Sequence, residues 1–199
     1  VIWLLLACSD YSVRTGPEVP VAEPPGRGDD EFGDAPSWSD CTQGWQGDYA
    51  NLDPDDPYVV DALTAPNDPI ELDWWDDPVF STFDPVLEFG SGWWPVDEGL
   101  ADDPGVFAVR WRAWMRVWEP GAVPFVVGAQ DDVWVVVGDD VALSMPGPQP
   151  YEPDQVELDL SDVPSQVPIT VYFAHRVSPD SGLRFRPLDP DAVTICLAE

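Results

Sequence analysis

Between residues 107 and 118 the chain alternates without a break. Phe107, Val109, Trp111, Ala113, Met115 and Val117 fall on one side, and Ala108, Arg110, Arg112, Trp114, Arg116 and Trp118 on the other. A period of two marks a strand with distinct faces; a helix would repeat at 3.6. Shorter segments repeat the pattern. Residues 124–128 and 133–137 are apolar and rich in Val, and Gly138-Asp139-Asp140 turns the chain into residues 141–144. Within residues 155–160, Val156, Leu158 and Leu160 point one way. Ile169, Val171 and Phe173 share a face, Leu183 and Phe185 alternate with Arg184 and Arg186, and Val193, Ile195 and Leu197 close the chain. Many short strands separated by Pro, Gly and Asp predict an all-β, antiparallel β-sandwich. The 24 prolines leave little room for helix.

Residues 53–105 are less regular. Asp-Pro recurs at 53–54, 56–57, 68–69, 77–78, 84–85 and 103–104, as turn signals without a fixed period. The pairs Trp74-Trp75 and Trp93-Trp94 lie among them. Neighbours on a strand face opposite ways, so each pair is expected to send one ring inward and one outward. Residues 9–40 have no apolar period and hold Gly16-Pro17, Pro24-Pro25-Gly26 and Asp29-Asp30-Glu31. They predict a flexible, disordered tether. Its Arg27-Gly28-Asp29 is a three-letter match in a linker and carries no weight. Ahead of it, Leu5-Leu6-Ala7-Cys8 ends an apolar run and resembles a lipobox, the site at which bacteria attach lipid to a Cys. The expected order is a signal-peptide end over 1–8, the tether over 9–40 and a domain over 41–199. Cys8 is the lipidation candidate, with a buried thiol on an N-terminal strand as the alternative. Since only seven residues precede Cys8, a start further upstream is expected. A lipobox implies an exported protein of the bacterial cell envelope, held at the outer membrane or cell surface by lipid.

Composition narrows the partners. The 199 residues include 11 Trp and are 44% hydrophobic, enough for one domain with a real core. There is no Lys, and eight Arg face 38 acidic residues for a net charge of −30. Such a surface repels phosphate, so nucleic acid is not an expected partner, and membrane contact is expected only through a lipid anchor. Once Cys8 is set aside, Cys41 and Cys196 remain at the two edges of the expected domain. Pairing them would close a long loop worth about 5 kcal/mol of chain entropy, and export favours it. The alternative is two independent thiols. The one His, His175, comes with no Gly-x-Ser-x-Gly, no Cys-His arrangement and no zinc spacing, and no phosphate loop is present. Acidic pairs such as Asp76-Asp77 match a glycosidase only as cheaply as any Asp-rich turn does. The chain is not expected to be an enzyme.

Several segments resemble one family in order and spacing. Gly44-Trp45-Gln46-Gly47-Asp48-Tyr49 resembles the opening strand of the anthrax protective antigen lectin-like domain, and Phe107-Ala108-Val109-Arg110-Trp111 its central strand. Asp131-Asp132-Val133-Trp134-Val135-Val136-Val137 is similar to the hairpin of the fibro-slime branch. Tyr172-Phe173-Ala174-His175-Arg176 and Ser181-Gly182-Leu183-Arg184-Phe185 resemble later segments of that branch. The resemblance spans residues 44–186. It departs at Gln130, where that branch carries a third Asp, and at Gly138-Asp139-Asp140, where it has an Asp-Gly turn.

The resemblance implies a lectin-like jelly-roll sandwich in which an Asp-Asp pair, often joined by a cis peptide, holds Ca²⁺ for sugar hydroxyls. Carried over, Asp131 and Asp132 are the metal candidates, with Asp139 and Asp180 as further ligands. The chemistry is consistent, because Ca²⁺ takes six to eight oxygens and adjacent carboxylates repel unless a cation or donor lies between them. The alternative is that the pair caps a hairpin through nearby amides. Trp114, Trp118 and Trp134 are ligand-binding candidates, since rings beside arginines suit a sugar or an acidic polysaccharide. The competing expectation is that the other sheet or residues 53–105 cover that face, the arginines pairing with Asp. The expected function is a surface-anchored, non-catalytic module that recognises polysaccharide, glycan or extracellular matrix with or without Ca²⁺. The alternative is a structural or adhesion protein that binds envelope proteins and no small ligand.

Overall fold

The computed structural model describes residues 32, 34–39, 41–95, 105–177 and 180–197. Cys8 with its lipobox, the Arg27-Gly28-Asp29 tripeptide and most of the expected tether lie outside the described residues. Among the described residues, eleven strands form two antiparallel sheets: β1 (Trp45–Asn51), β2 (Phe80–Asp84), β3 (Leu87–Ser91), β4 (Phe107–Val117), β5 (Ala122–Gln130), β6 (Asp132–Val137), β7 (Asp140–Met145), β8 (Asp154–Asp159), β9 (Gln166–His175), β10 (Gly182–Pro187) and β11 (Val193–Cys196). The larger sheet runs β2-β1-β4-β9-β6-β7, with β11 also on β4; the smaller runs β3-β10-β5-β8. Single helical turns at Pro57–Val60 and Pro69–Glu71 are each started by an Asp that accepts amide hydrogen bonds and by Pro at its first position. The all-β sandwich expected from the alternation is the fold found.

The alternation of β4 decides where the core lies. Phe107, Val109, Trp111, Ala113, Met115 and Val117 are at most 3% exposed and meet Val133, Val135, Ile169, Val171 and Phe173 of their own sheet. From the facing sheet come Phe125, Val127, Leu158, Leu183 and Phe185. Gly47 of β1 is small for a reason. A side chain there would collide with the Asp84 carboxylate and the Trp111 indole. Those two groups meet through the Trp111 Nε1–H donating to Asp84 at 2.7 Å, and the Tyr49 hydroxyl donates to the same oxygen at 2.8 Å.

Residues 53–105 hold two features that alternation does not reveal. Short β2 and β3 add edge strands to the two sheets. Residues 52–75 fold over the outer face of the larger sheet, where Leu52, Leu72, Trp74 and Trp75 pack on Ala108, Trp134, Val136, Tyr172 and Ala174. Trp74 and Trp75 are therefore both buried, and Trp93 and Trp94 both pack against the main core. The expected split of each pair fails because neither pair sits on a strand.

At eleven residues β4 is longer than its neighbour β1. β1 pairs with Phe107–Arg112, and β11 continues along the same edge at Trp114–Val117. A Cys41–Cys196 disulfide joins the chain ahead of β1 to the end of β11 across 155 residues. Leu197 N–H donates to the Thr42 carbonyl at 2.9 Å beside it. Replacing both Cys41 and Cys196 by Ser should lower stability by about 2–5 kcal/mol. Urea unfolding checks this, and reduction of the native protein should reproduce the loss.

Candidate functional site

Asp131 stands where the chain changes sheets. Gln130 pairs with Gly182 in the smaller sheet, and Asp132 pairs with Ala174 in the larger. The Gln130–Asp131 peptide is cis, one bond ahead of the Asp131–Asp132 pair. The chain makes a second crossing at the same end, from β9 through Arg176 to β10. The two aspartates tie these crossings together. One Asp131 oxygen accepts the backbone N–H of Arg176 at 2.9 Å and of Val177 at 2.7 Å. Asp132 faces the Arg176 guanidinium side-on, with Nε at 2.6 Å and Nη2 at 2.7 Å, and it also accepts the Gly147 amide. Arg176 Nη1 donates to the Tyr58 and Thr64 carbonyls, which fastens the 52–75 cover to the same corner. Asp131, Asp132 and Arg176 are at most 4% exposed.

In this corner most carboxylate oxygens are already engaged by N–H donors. Ca²⁺ needs several carboxylate and carbonyl oxygens turned toward one point. Here both Asp132 oxygens go to a guanidinium, and one Asp131 oxygen serves two amides. Gln130 supplies no charge and Asp139 lies beyond the far end of β6, while Asp180, exposed before β10, is near enough to act electrostatically on His175. Among the described residues no three His, Cys, Asp or Glu side chains gather in metal-binding geometry. His175 is fully buried, with Nδ1 at 3.2 Å from the Gln130 carbonyl and 3.5 Å from Asp131. Burial pushes the His175 pKa down from the usual imidazole value and pushes that of Asp131 up. Both shifts run against mutual ion pairing, so desolvation outweighs the attraction between them.

The tryptophan candidates separate. Trp134 is fully buried under the 52–75 segment, with Nε1 donating to the Pro66 carbonyl, and has no face to offer a ligand. Trp118 is 51% exposed but stacks on the Arg116 guanidinium at 3.9 Å and donates to Thr194 Oγ1. Arg110 and Arg112 both reach Asp48, as the covered-face expectation had it. The 52–75 cover stops short of the third candidate, half-buried Trp114.

Trp114 lines a groove of about 630 Å³ on the outer face of the larger sheet. Thr170 and Tyr172 of β9 lie beside it, Gln166 and the Asp162 loop form one wall, and Gly138, Asp139 and Asp140 of the β6–β7 turn form another. Phe32, Asp34 and Ala35 close the remaining side, Phe32 meeting the Trp114 ring edge-on at 6.4 Å. These last residues belong to the stretch expected as tether; they pack on the sandwich, with Pro36 buried and Arg116 over the Trp38 ring.

No protein-family model matches the sequence, and no curated protein matches it. Solved structures do. The Epithelial Adhesin 6 A domain of Candida glabrata, solved with Galβ1-3GlcNAc, is 13% identical over 84% of this chain and 89% of its own, with a TM-score of 0.50. An anti-sigma factor domain-containing protein is 15% identical over 83% of this chain and 49% of its own, with a TM-score of 0.51. A PA14 sugar-binding domain from an RTX adhesin is 16% identical over 73% of this chain and 90% of its own, with a TM-score of 0.48. The fold is the two-sheet β-sandwich of these structures.

Sequence reasoning missed Arg176 and the groove partners of Trp114. A signal existed for Thr170 and Tyr172, because the inward run Ile169, Val171, Phe173 places them on the opposite face of β9. For Arg176 the signal was its place in the family-like segment Tyr172 to Arg176; none existed for Asp162, whose groove neighbours are remote in sequence. Replacing Arg176 by Met strands the buried Asp132 carboxylate and should cost about 3–5 kcal/mol in urea unfolding. Calcium at several mM should leave both the melting temperature and the Trp fluorescence unchanged.

Proposed function

We propose that this chain is a non-catalytic carbohydrate-recognition module held outside a bacterial cell, and that its sugar lies on Trp114 in the outer groove. The observation that carries the reading is the groove itself. A half-buried indole offers apolar surface to the C–H face of a sugar ring, with the largely buried Tyr172 beneath it. Gln166, Thr170 and the flanking aspartates offer the donors and acceptors that hydroxyls need. A volume of about 630 Å³ lies in the range of small-ligand sites. An adhesin domain of the same fold, solved with a disaccharide, supports the reading.

In this reading the Asp131–Asp132–Arg176 corner is structural and recognition needs no calcium. The fibro-slime likeness of residues 131–137 and 172–176 then reflects the frame that ties the two crossings together. Lipid at Cys8 would hold the module at the cell envelope, and the Cys41–Cys196 disulfide is in keeping with an exported chain.

A glycan array probed with the native protein and with Trp114→Ala tests the site. Expected are glycan signals that persist in chelator and fall at least about tenfold in the variant, with the near-UV circular dichroism of the core retained. Signals that survive Trp114→Ala would overturn the groove as the site. A blank array together with capture of defined envelope proteins would favour the structural-adhesion alternative.

A further inference from the structure

The acidic residues of this chain divide by whether the fold uses them. Asp53, Asp56, Asp68, Asp159 and Asp189 hold amides in their own turns. Asp48 and Glu88 each pair with two arginines, and Asp84 and Asp132 are spent inside the sandwich. Asp34, Asp140 and Asp162 do none of this. They are exposed along the groove and have no ion-pair partner or capped amide among the described residues. Asp139 lines the same groove, and no Arg does. Between them lies Thr170, a groove-lining residue only 5% exposed whose hydroxyl has no hydrogen-bond partner among the described residues.

This arrangement favours one class of sugar. A neutral sugar would meet the Trp114 ring and hydrogen-bonding groups but leave the carboxylates of Asp34, Asp140 and Asp162 uncompensated. An acidic sugar would be repelled by them and by the net charge of −30. An ammonium group gains charge-assisted hydrogen bonds from the carboxylates and attraction from the face of Trp114. We propose that the groove selects amino sugars whose amine is free, hexosamine units without an N-acetyl group. The proposal rests on the carbohydrate reading above and adds the substrate class to it.

Isothermal titration with β1-4-linked glucosamine tetrasaccharide and its N-acetylated counterpart, at pH 6 in 0.1 M salt, decides it. The free-amine sugar should bind at least about tenfold tighter, equivalent to about 1.4 kcal/mol. The ratio should shrink in 1 M salt, where charges are screened, and at pH 9, where the amine is neutral. Asp140→Asn with Asp162→Asn should reduce the ratio, while Glu152→Gln with Glu157→Gln, on the side of the smaller sheet, should keep it. Equal affinities that both vanish in Trp114→Ala would overturn the selectivity and leave the carbohydrate reading standing. An equal loss of preference in the Glu152/Glu157 variant would reduce the effect to net charge and overturn it too. Binding indifferent to Trp114→Ala would remove the selectivity and the groove together.

Discussion

One buried ion pair organises this sandwich. The chain leaves the smaller sheet at Gln130 and enters the larger at Asp132, and it returns past Arg176 to start β10 at Gly182. Asp132 and Arg176 close side-on at the point where these crossings meet. Taking two charges out of water is expensive, and the pair is tolerable only when nearly every donor and acceptor is used. Four of the five guanidinium N–H groups have named acceptors, two on Asp132 and two on the carbonyls of Tyr58 and Thr64. The same contacts join the ends of neighbouring strands β6 and β9, where the crossings meet, and hold the 52–75 cover in place.

That economy has a chemical consequence. A carboxylate committed to a guanidinium is withdrawn from metal binding, and Asp131 has given one oxygen to two amides. An acidic pair that looks like a calcium motif has become a structural clamp.

The cover also decides what remains open. Residues 52–75 bury Trp134 and part of Tyr172 but leave Trp114, Thr170 and the β6–β7 turn lining a groove. The central strand thus carries a core on one face. On its other face lie in succession a covered alanine, an Arg110–Arg112–Asp48 cluster and an aromatic groove wall. Recognition chemistry falls where neither sheet nor cover completes the packing.

The sequence by itself determined the strands and their faces, because a side-chain period of two is a local property that each segment carries unaided. Phe107 to Val117, the turn at Gly138 and the closing strand at Val193 were legible for that reason, as was the pairing of Cys41 with Cys196 once both were seen to bound the alternating region. Only the tertiary structure decided the fate of each polar residue. Asp131, Asp132, Trp114 and Trp134 look equally available along the chain. What separates them is contact with Arg176 some 44 residues away, and with Pro66 some 68 residues away. Contacts of that range leave no periodic trace in the sequence, since they are set by which strands become neighbours and by which face the 52–75 segment covers.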